Sequence, residues 1–373
     1  DRPVLDIILN MFPISASIGA IAIGWAILVG VPLGCLAAYK RGTWVDSLLR
    51  VICTLGISMP GFVVATILLH TLTGGIEGVN LLPALFDGTP KSYIMPCLAL
   101  GFYPMCYLSR QTRTAMLDSI NQEFSIILSQ VVASTDVALT TVDPSTGERI
   151  IRSQETNLGD LCADAYREVL DADVGLINGG GIRADIAAGE ITYEDIISVH
   201  PYNNQATSVR VTGQQLLDAL ELGARYTPYE NGGFLHVSGL TYTIDTTIPS
   251  SVVTDVQDNF VRVDGAYRVK DVMVGGEPLD LERAYVVASH DYMLLSGGDG
   301  MTMFDGAEVV KDRVMPDSEV LIQYIRDYLG GVVGQEYADP YGQGRITILT
   351  ETATETPEEI PAEPETPAEP ETP

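Results

Sequence analysis

A run of three glycines lies beside polar residues that could hold an anionic ligand. The segment reads Asn178-Gly179-Gly180-Gly181-Ile182-Arg183 and follows the apolar stretch Val174–Ile177. Glycines allow a close approach of backbone to ligand, and successive backbone N–H groups can bind an anion. Arg183, with Arg152 upstream, supplies a planar fork suited to phosphate. Taken alone, the pattern also suits a tight turn with a surface salt bridge.

A second glycine-rich turn, Ser296–Gly300, carries Asp299 near its centre. A carboxylate held there could accept hydrogen bonds from two ribose hydroxyls, or it could form an Asx-turn with its own backbone. Tyr202 and Tyr292 could stack on a nucleobase, although a single tyrosine is also common in a core or at a rim.

The elements that must position these residues mix strands with helices. Alternating or apolar runs predict strands at Gln130–Val142, Val174–Ile177, Ala206–Val211, Leu235–Ile244, Tyr285–Ser289 and near Ile346. Helical spacing and capping residues predict helices at Asn157–Val169 (capped by Thr156 or Asn157), from the Thr192 cap through Val199, at Gln214–Tyr226 and at Asp317–Leu329. This order predicts an α/β (α+β) domain of about 220 residues.

Four separated motifs occur in an order that resembles the C-terminal, substrate-binding domain of the 5'-nucleotidase family, across about residues 129–350. The motifs are Arg152–Gly159, Asn178–Arg183, Tyr193–Tyr202 and Ser296–Gly300. The resemblance implies a nucleotide or nucleoside ligand. It implies that Arg152 and Arg183 hold the phosphate side, that Asn178 bonds the nucleoside, that Asp299 holds the ribose, and that Gly180 and Gly181 lie in the binding loop.

The same resemblance implies that two aromatic rings sandwich the base. Tyr202 stands where the family often has Phe, and both residues present a flat ring. The second ring position falls on Met293. A shift of one residue would bring Tyr292 to it instead, and the sequence leaves both alternatives open.

In this family a separate N-terminal domain holds two divalent metals that cleave the phosphoester. The chain has four histidines, at positions 70, 200, 236 and 290, and none lies in a family metal motif. His200 and His290 are therefore predicted to be packing or loop residues. We expect no catalytic residue, no metal ligand and no cofactor in this chain, so that it binds a nucleotide without cleaving it efficiently alone. An alternative is that a metal-bearing domain acts in trans.

The sequence before Phe124 has a different character. The first 128 residues hold seven Lys or Arg and seven Asp or Glu, so the formal charge of −28 belongs to the remainder. Apolar runs at Phe12–Tyr39, Val51–Leu72 and Met95–Leu108 predict an N-terminal all-α transmembrane region of about three helices. The acidic balance of the remainder argues against nucleic acid as a partner.

Within this region Val31–Asp46, Gly56–Phe62 and Tyr107–Asp118 resemble the dipeptide/oligopeptide ABC-transporter permease family, over about residues 1–123. Because the resemblance stops before the family's ATPase-coupling loop, it implies membrane insertion, with the lipid bilayer and other permease helices as partners, but not transport. Residues 124–128 are predicted to be a seam between the two regions. The alternatives are a piece of a peptide-transporter permease, or an artefactual gene fusion with neither activity.

Residues 351–373 hold eight Glu, six Pro and no basic residue, which predicts a disordered tail or an extended spacer. Lys40 and Arg41 follow the first span and indicate the cytoplasmic side. Counting spans then puts residues 129–350 in the cytoplasm, whereas the 5'-nucleotidase resemblance implies the outside. We expect a bacterial cell membrane location, with the side left open.

Overall fold

The computed structural model describes residues 4–73 and 81–350. The chain divides into two compact units, with the boundary between Ile127 and Leu128. The predicted seam, residues 124–128, forms the end of a long helix that stops at Leu128. The predicted disordered tail, residues 351–373, lies outside the described residues.

Helices form the N-terminal unit in the part that the structure describes. They are α1 (Val4–Tyr39), α2 (Trp44–Ser58), α3 (Gly61–Leu72) and α4 (Ile94–Leu128). Within α1, the segment Met11–Tyr39 is long and apolar enough to cross a bilayer. Such a helix is consistent with the first predicted span.

Helices α1 and α4 run parallel and approach closely at small residues. A Cβ built on Gly30 would lie 2.6 Å from the carbonyl oxygen of Met105, and one on Gly34 would lie 2.5 Å from that of Ser109. Both positions advance by four residues, so the two helices point the same way. At Gly24, by contrast, a Cβ would meet nothing within 4 Å. Close helix packing therefore requires glycine at positions 30 and 34 but not at position 24.

The second predicted span, Val51–Leu72, is not one straight helix. Helices α2 and α3 meet at an angle of 107°. Pro60 has no N–H to donate, and Met59 before it is extended, with φ −84° and ψ 126°. The second predicted span is therefore a bent pair of helices and not one straight helix. Among the described helices, α1 alone and this pair taken together satisfy the length and apolarity of a span; the third predicted span lies inside α4.

The C-terminal unit is built from strands and helices in mixed order. The strands are β1 (Val131–Thr135), β2 (Val174–Asn178), β3 (Gly189–Thr192), β4 (Ala206–Thr212), β5 (Leu235–Ser238), β6 (Leu240–Asp245), β7 (Val252–Thr254), β8 (Phe260–Val263), β9 (Val269–Val274), β10 (Glu277–Pro278), β11 (Ala284–His290), β12 (Glu308–Lys311), β13 (Val332–Val333) and β14 (Ile346–Leu349). The helices are α5 (Asn157–Val169), α6 (Tyr193–Val199), α7 (Gly213–Ala224), α8 (Asp291–Leu294) and α9 (Asp317–Gln323), the last continued by a π-helical turn, Tyr324–Tyr328. These elements confirm an α/β domain.

A five-stranded mixed sheet in the order β12-β4-β11-β2-β5 separates two apolar cores. Strand β2 is parallel to β11 and antiparallel to β5. Its successive side chains point to opposite faces, so Ile177 packs in the core beneath α5 and Leu176 in the core beneath α7. Burial on both faces explains why β2 is a continuous apolar run in the sequence.

Three smaller sheets accompany the central one in the described chain. Their strand orders are β10-β9-β6-β14, β13-β1-β3 and β7-β8. The predicted strand Leu235–Ile244 is divided into β5 and β6 at Gly239, whose φ is +77°. A Cβ there would lie 2.2 Å from the carbonyl oxygen of Asp173, so the break needs glycine. The predicted strand Gln130–Val142 shortens to β1.

Candidate functional site

A cavity of about 510 Å³ lies where the chain leaves β2 and β11. Because these strands are parallel neighbours, their carboxyl ends lie at one edge of the sheet. The cavity is lined by Arg152, Asn178, Gly180, Gly181, Arg183, Tyr202, Asn204, Gly232, Tyr292 and Asp299. Every binding residue predicted from the sequence is in this set, and the fold brings them together from five separate segments. Asn204 and Gly232 were not predicted, and both lie in loops without a motif.

The glycine run after β2 lets two loops approach each other. Gly180 donates its backbone N–H to the carbonyl of Gly232 at 2.8 Å. A Cβ on Gly179 would lie 2.1 Å from the carbonyl oxygen of Ile151. A larger residue at Gly179 would therefore push away the segment that carries Arg152, so this glycine positions the arginine.

Two arginines bring uncompensated positive charge to the cavity. The Nε of Arg152 is buried and has no hydrogen-bond partner in the described structure. Burial, and then the charges of Arg149 and Arg183, lower the pKa of Arg152 from its usual value. Arg149 is already matched, because its Nη2 lies 2.6 Å from the carboxylate of Glu230. An anion bound between Arg152 and Arg183 would supply the charge that these two side chains lack.

Asp299 is held in a strained turn by groups on both sides. Its φ is +54°, a left-handed conformation that is uncommon outside glycine, and it lies between Gly297 and Gly300, which also have positive φ. The side-chain amide of Asn178 donates to its Oδ2 at 2.6 Å. The Tyr292 hydroxyl donates to Oδ1 at 3.2 Å. The carboxylate thus has a fixed direction and keeps lone pairs for a ligand.

Burial differs between the two candidates for the second aromatic ring, Tyr292 and Met293. Tyr292 is 42% exposed and lines the cavity, whereas Met293 is fully buried in a core. Tyr292 packs against Gly298, where a Cβ would lie 2.4 Å from the ring. Tyr202, 57% exposed, lines the same cavity. The two tyrosines therefore provide the flat surfaces of the site.

Comparison with known proteins identifies both regions. Residues 131–306 match the 5'-nucleotidase, C-terminal domain. Residues 30–127 match the binding-protein-dependent transport system inner membrane component. Both resemblances predicted from the sequence are confirmed, although the nucleotidase match ends before α9 and β14.

Individual relatives are similar to about half of the chain. The chain is 32% identical over 183 residues to a 5'-nucleotidase of Vibrio parahaemolyticus, covering 49% of this chain and 29% of that protein. It is 30% identical over 226 residues to a cell wall protein of Listeria monocytogenes. The crystal structure of a 5'-nucleotidase precursor from Thermus thermophilus superimposes with a TM-score of 0.51 and 29% identity, over 65% of this chain and 44% of that one. The chain therefore spans less than a third of the length of the first relative.

The histidines of the nucleotidase-like domain are buried. Burial lowers the pKa of His200 to about 3, and those of His236 and His290 to about 4. Within the described residues no three His, Cys, Asp or Glu side chains are grouped to hold a metal ion. These residues therefore do not fit the two divalent metals that the resemblance implies. His290 does contact the site, through Asn178, and no sequence motif marked it.

Proposed function

We propose that the nucleotidase-like domain binds a nucleotide or nucleoside in the cavity between Arg152 and Asp299. The observation that carries the proposal is the convergence of two unmatched arginines, an amide–carboxylate pair and two exposed tyrosines on one space of about 510 Å³. A cavity of that size suits a small organic ligand with a few placed polar groups. The family match over residues 131–306 supports a nucleotide as that ligand.

Each part of a nucleotide has a matching group in the cavity. The arginine forks of Arg152 and Arg183 suit the phosphate. The carboxylate of Asp299 suits the ribose hydroxyls, since an ionised carboxylate accepts hydrogen bonds and does not donate them. The rings of Tyr202 and Tyr292 suit the faces of the base.

We propose further that the chain's own residues bind the nucleotide and that cleavage requires a metal-bearing domain. The first relative's name, 5'-nucleotidase, denotes an enzyme, but this chain spans only 29% of that protein. The metal chemistry that the resemblance implies, activation of water, would have to be supplied by residues other than those that the structure describes. Phosphate release from AMP, with Mn²⁺ and a separately added metal domain, would test this; no release would contradict cleavage in trans.

The N-terminal unit is proposed to hold the nucleotidase-like domain at a bacterial cell membrane. The match of residues 30–127 and the apolar length of α1 support this. Parallel α1 and α4 place Lys40 and Arg110 toward the same side of a bilayer, which by the positive-inside rule is the cytoplasm. The similar protein of Listeria monocytogenes is named for the cell wall, which supports a location of the nucleotidase-like domain on the opposite side of the membrane. Protease protection in sealed spheroplasts would decide which side is correct.

Calorimetry on the full chain in detergent tests the binding proposal directly. We expect a measurable heat of binding for both AMP and adenosine, with one ligand molecule bound per chain. An Asp299→Ala variant should bind adenosine more weakly by about tenfold or more, since a hydrogen bond to a charged group contributes about 1.5–3 kcal/mol. Absence of binding at millimolar ligand, with the protein folded by circular dichroism, would contradict the proposal.

A further inference from the structure

One end of the N-terminal unit concentrates positive charge. The parallel packing of α1 and α4 brings Gly34 against Ser109. The residues that follow Gly34 on α1 therefore lie beside the segment of α4 that carries Arg110 and Arg113. Five of the seven cations in the first 128 residues belong to this end: Lys40, Arg41, Arg50, Arg110 and Arg113. Lys40 and Arg110 served above only to indicate the side of the membrane.

A cavity of about 250 Å³ lies between α2 and α4 at this end. Three arginines line it, Arg50, Arg110 and Arg113. Thr54 and Thr114 line it as well, but their hydroxyls donate to backbone carbonyls at 2.8 and 3.1 Å and so have no proton to offer an anion. Three guanidinium groups around so small a space favour an anion.

The acidic group nearest to the cavity is already neutralised. Asp46 is buried, and the Nε and Nη2 of Arg113 donate to its two oxygens at 2.8 and 2.9 Å. Arg50 approaches the same carboxylate less closely, at 3.5 Å, and its side chain is 54% exposed. Arg110 is exposed and forms no ion pair in the described part of the chain. Once Asp46 is matched by Arg113, the positive charges of Arg50 and Arg110 remain.

We propose that this cavity binds a phosphate group between Arg50 and Arg110. The planar guanidinium offers two parallel N–H groups to phosphate oxygens, which fits phosphate better than a point charge does. Lipid headgroups and soluble phosphate esters share this chemistry. The bilayer source is favoured because Tyr39 and Trp44, 80% and 75% exposed, flank the connection that carries Lys40. Exposed aromatics beside basic residues mark a membrane interface, and basic pockets between membrane helices bind anionic headgroups.

The phosphate site does not depend on nucleotide binding by the other unit; only its lipid source rests on the proposed membrane location. The test uses the full chain in dodecyl maltoside and native mass spectrometry, with dioleoylphosphatidylglycerol in one arm and sn-glycerol 3-phosphate in the other. We expect Arg50→Gln with Arg110→Gln to weaken binding of the first phosphatidylglycerol by about tenfold or more, since each basic residue near anionic lipid contributes about fivefold.

The matched control is Lys40→Gln with Arg41→Gln, which removes the same charge outside the cavity. We expect it to weaken binding by less than about threefold, because these side chains do not line the space. A third variant, Arg50→Lys with Arg110→Lys, keeps the charge and loses the fork, and should give an intermediate loss. A thermal unfolding curve for each variant verifies that it is folded.

The two arms distinguish the source of the phosphate. Arginine-dependent binding of phosphatidylglycerol alone supports a lipid headgroup, and equal dependence for glycerol 3-phosphate supports a soluble ester at the same site. Equal losses in the cavity pair and the control pair would mean diffuse attraction and would overturn the proposal. So would binding that is unchanged in the cavity pair.

Discussion

The imidazole Nε2 of His290 lies 3.0 Å from the side-chain oxygen of Asn178 and fixes the direction of that amide. His290 Nδ1 accepts the backbone N–H of Met293, so the proton of the neutral ring is on Nε2. Nε2 therefore donates to Oδ1 of Asn178, and the amide nitrogen must face Asp299. A buried histidine outside every motif thus orients the carboxylate that is proposed to hold the ribose.

Replacing His290 should change how the domain distinguishes nucleosides. In His290→Leu the amide of Asn178 is free to turn, and Asp299 loses a fixed donor. We expect about tenfold weaker binding of adenosine, in line with one hydrogen bond to a charged group, and little change for 2',3'-dideoxyadenosine, which lacks both hydroxyls. Calorimetry on the full chain measures the two affinities.

The conservative variant provides the control for this prediction. The side-chain amide nitrogen of glutamine in His290→Gln can donate from nearly the same place, so the preference for adenosine should return. Equal losses for both nucleosides in His290→Leu would mean general damage to the cavity and would contradict a positioning role. If neither nucleoside binds to the wild-type chain, the proposed function itself is wrong.

Arg183 should matter for the phosphate and not for the nucleoside. Arg183→Ala removes one of the two unmatched cations, and we expect AMP to bind about tenfold more weakly while adenosine is nearly unaffected. Arg149→Ala is the matched control, because Arg149 is paired with Glu230 and does not line the cavity. An AMP affinity that falls as much in Arg149→Ala would contradict the assignment.

Tyr292 and Met293 should have separate roles despite being neighbours. Tyr292→Ala should weaken adenosine binding with little loss of stability, whereas Met293→Ala should lower the free energy of unfolding by about 2–5 kcal/mol because it leaves a core cavity. Tyr292→Phe keeps the ring and removes the bond to Asp299, so it separates stacking from hydrogen bonding. Urea unfolding and calorimetry distinguish these effects. If Tyr292→Ala binds adenosine as strongly as the wild type does, the ring of Tyr292 is not part of the binding site.

The buried histidines predict lower stability in acid. Burial lowers the pKa of His236 to about 4 from an ordinary 6.5, so between these values the unfolded chain binds more protons than the folded one. The free energy of unfolding should therefore fall as pH falls through this window, by up to about 1.4 kcal/mol per pH unit for each such histidine. Burial raises the pKa of Asp160 to about 9, so the folded chain binds more protons at this group than the unfolded chain does. Asp160 therefore increases the free energy of unfolding as pH falls, opposite to the histidines.

Comparing variants separates the histidine contribution from the carboxyl one. His236→Gln retains a donor for the carbonyl of Ile151, which His236 Nε2 contacts at 2.8 Å, but cannot be protonated. We expect urea unfolding at pH 7, 6 and 5 to show a shallower acid slope in His236→Gln than in the wild type. Identical slopes would mean that His236 titrates normally in the folded chain.

Two glycines of α1 should respond differently to the same change. Gly34→Ala forces a Cβ against Ser109 on α4, whereas Gly24→Ala adds a methyl group where nothing lies within 4 Å. We expect Gly34→Ala to destabilise the unit by about 1–3 kcal/mol, as overpacking does, and Gly24→Ala to be close to neutral. Thermal unfolding in detergent measures both. Equal effects would contradict the parallel packing of α1 and α4.

Much of the secondary structure was readable from local signals. The predicted helix Asn157–Val169 is observed with these bounds, because Thr156 accepts the N–H of Gly159 as a cap. The helix after Thr192 has a capping box and also ends at Val199 as predicted. Short strands such as β7, β8 and β12 were missed, because partly exposed strands carry little apolar pattern. The sequence shows Pro60, a residue that interrupts helices, but it does not show the 107° angle between α2 and α3.

The sequence by itself determined which residues could do the chemistry and where the chain changes character. Motif order, through its resemblance to a known family, selected Arg152, Asn178, Arg183 and Asp299, and the structure places all four around one cavity. Tertiary structure decided what local pattern cannot encode. Contacts between residues distant in the sequence, such as the 2.6 Å bond from Asn178 to Asp299, set the direction of the carboxylate. Burial, which depends on the whole fold, leaves Tyr292 and not Met293 at the cavity, and the fold places the buried His290 against Asn178.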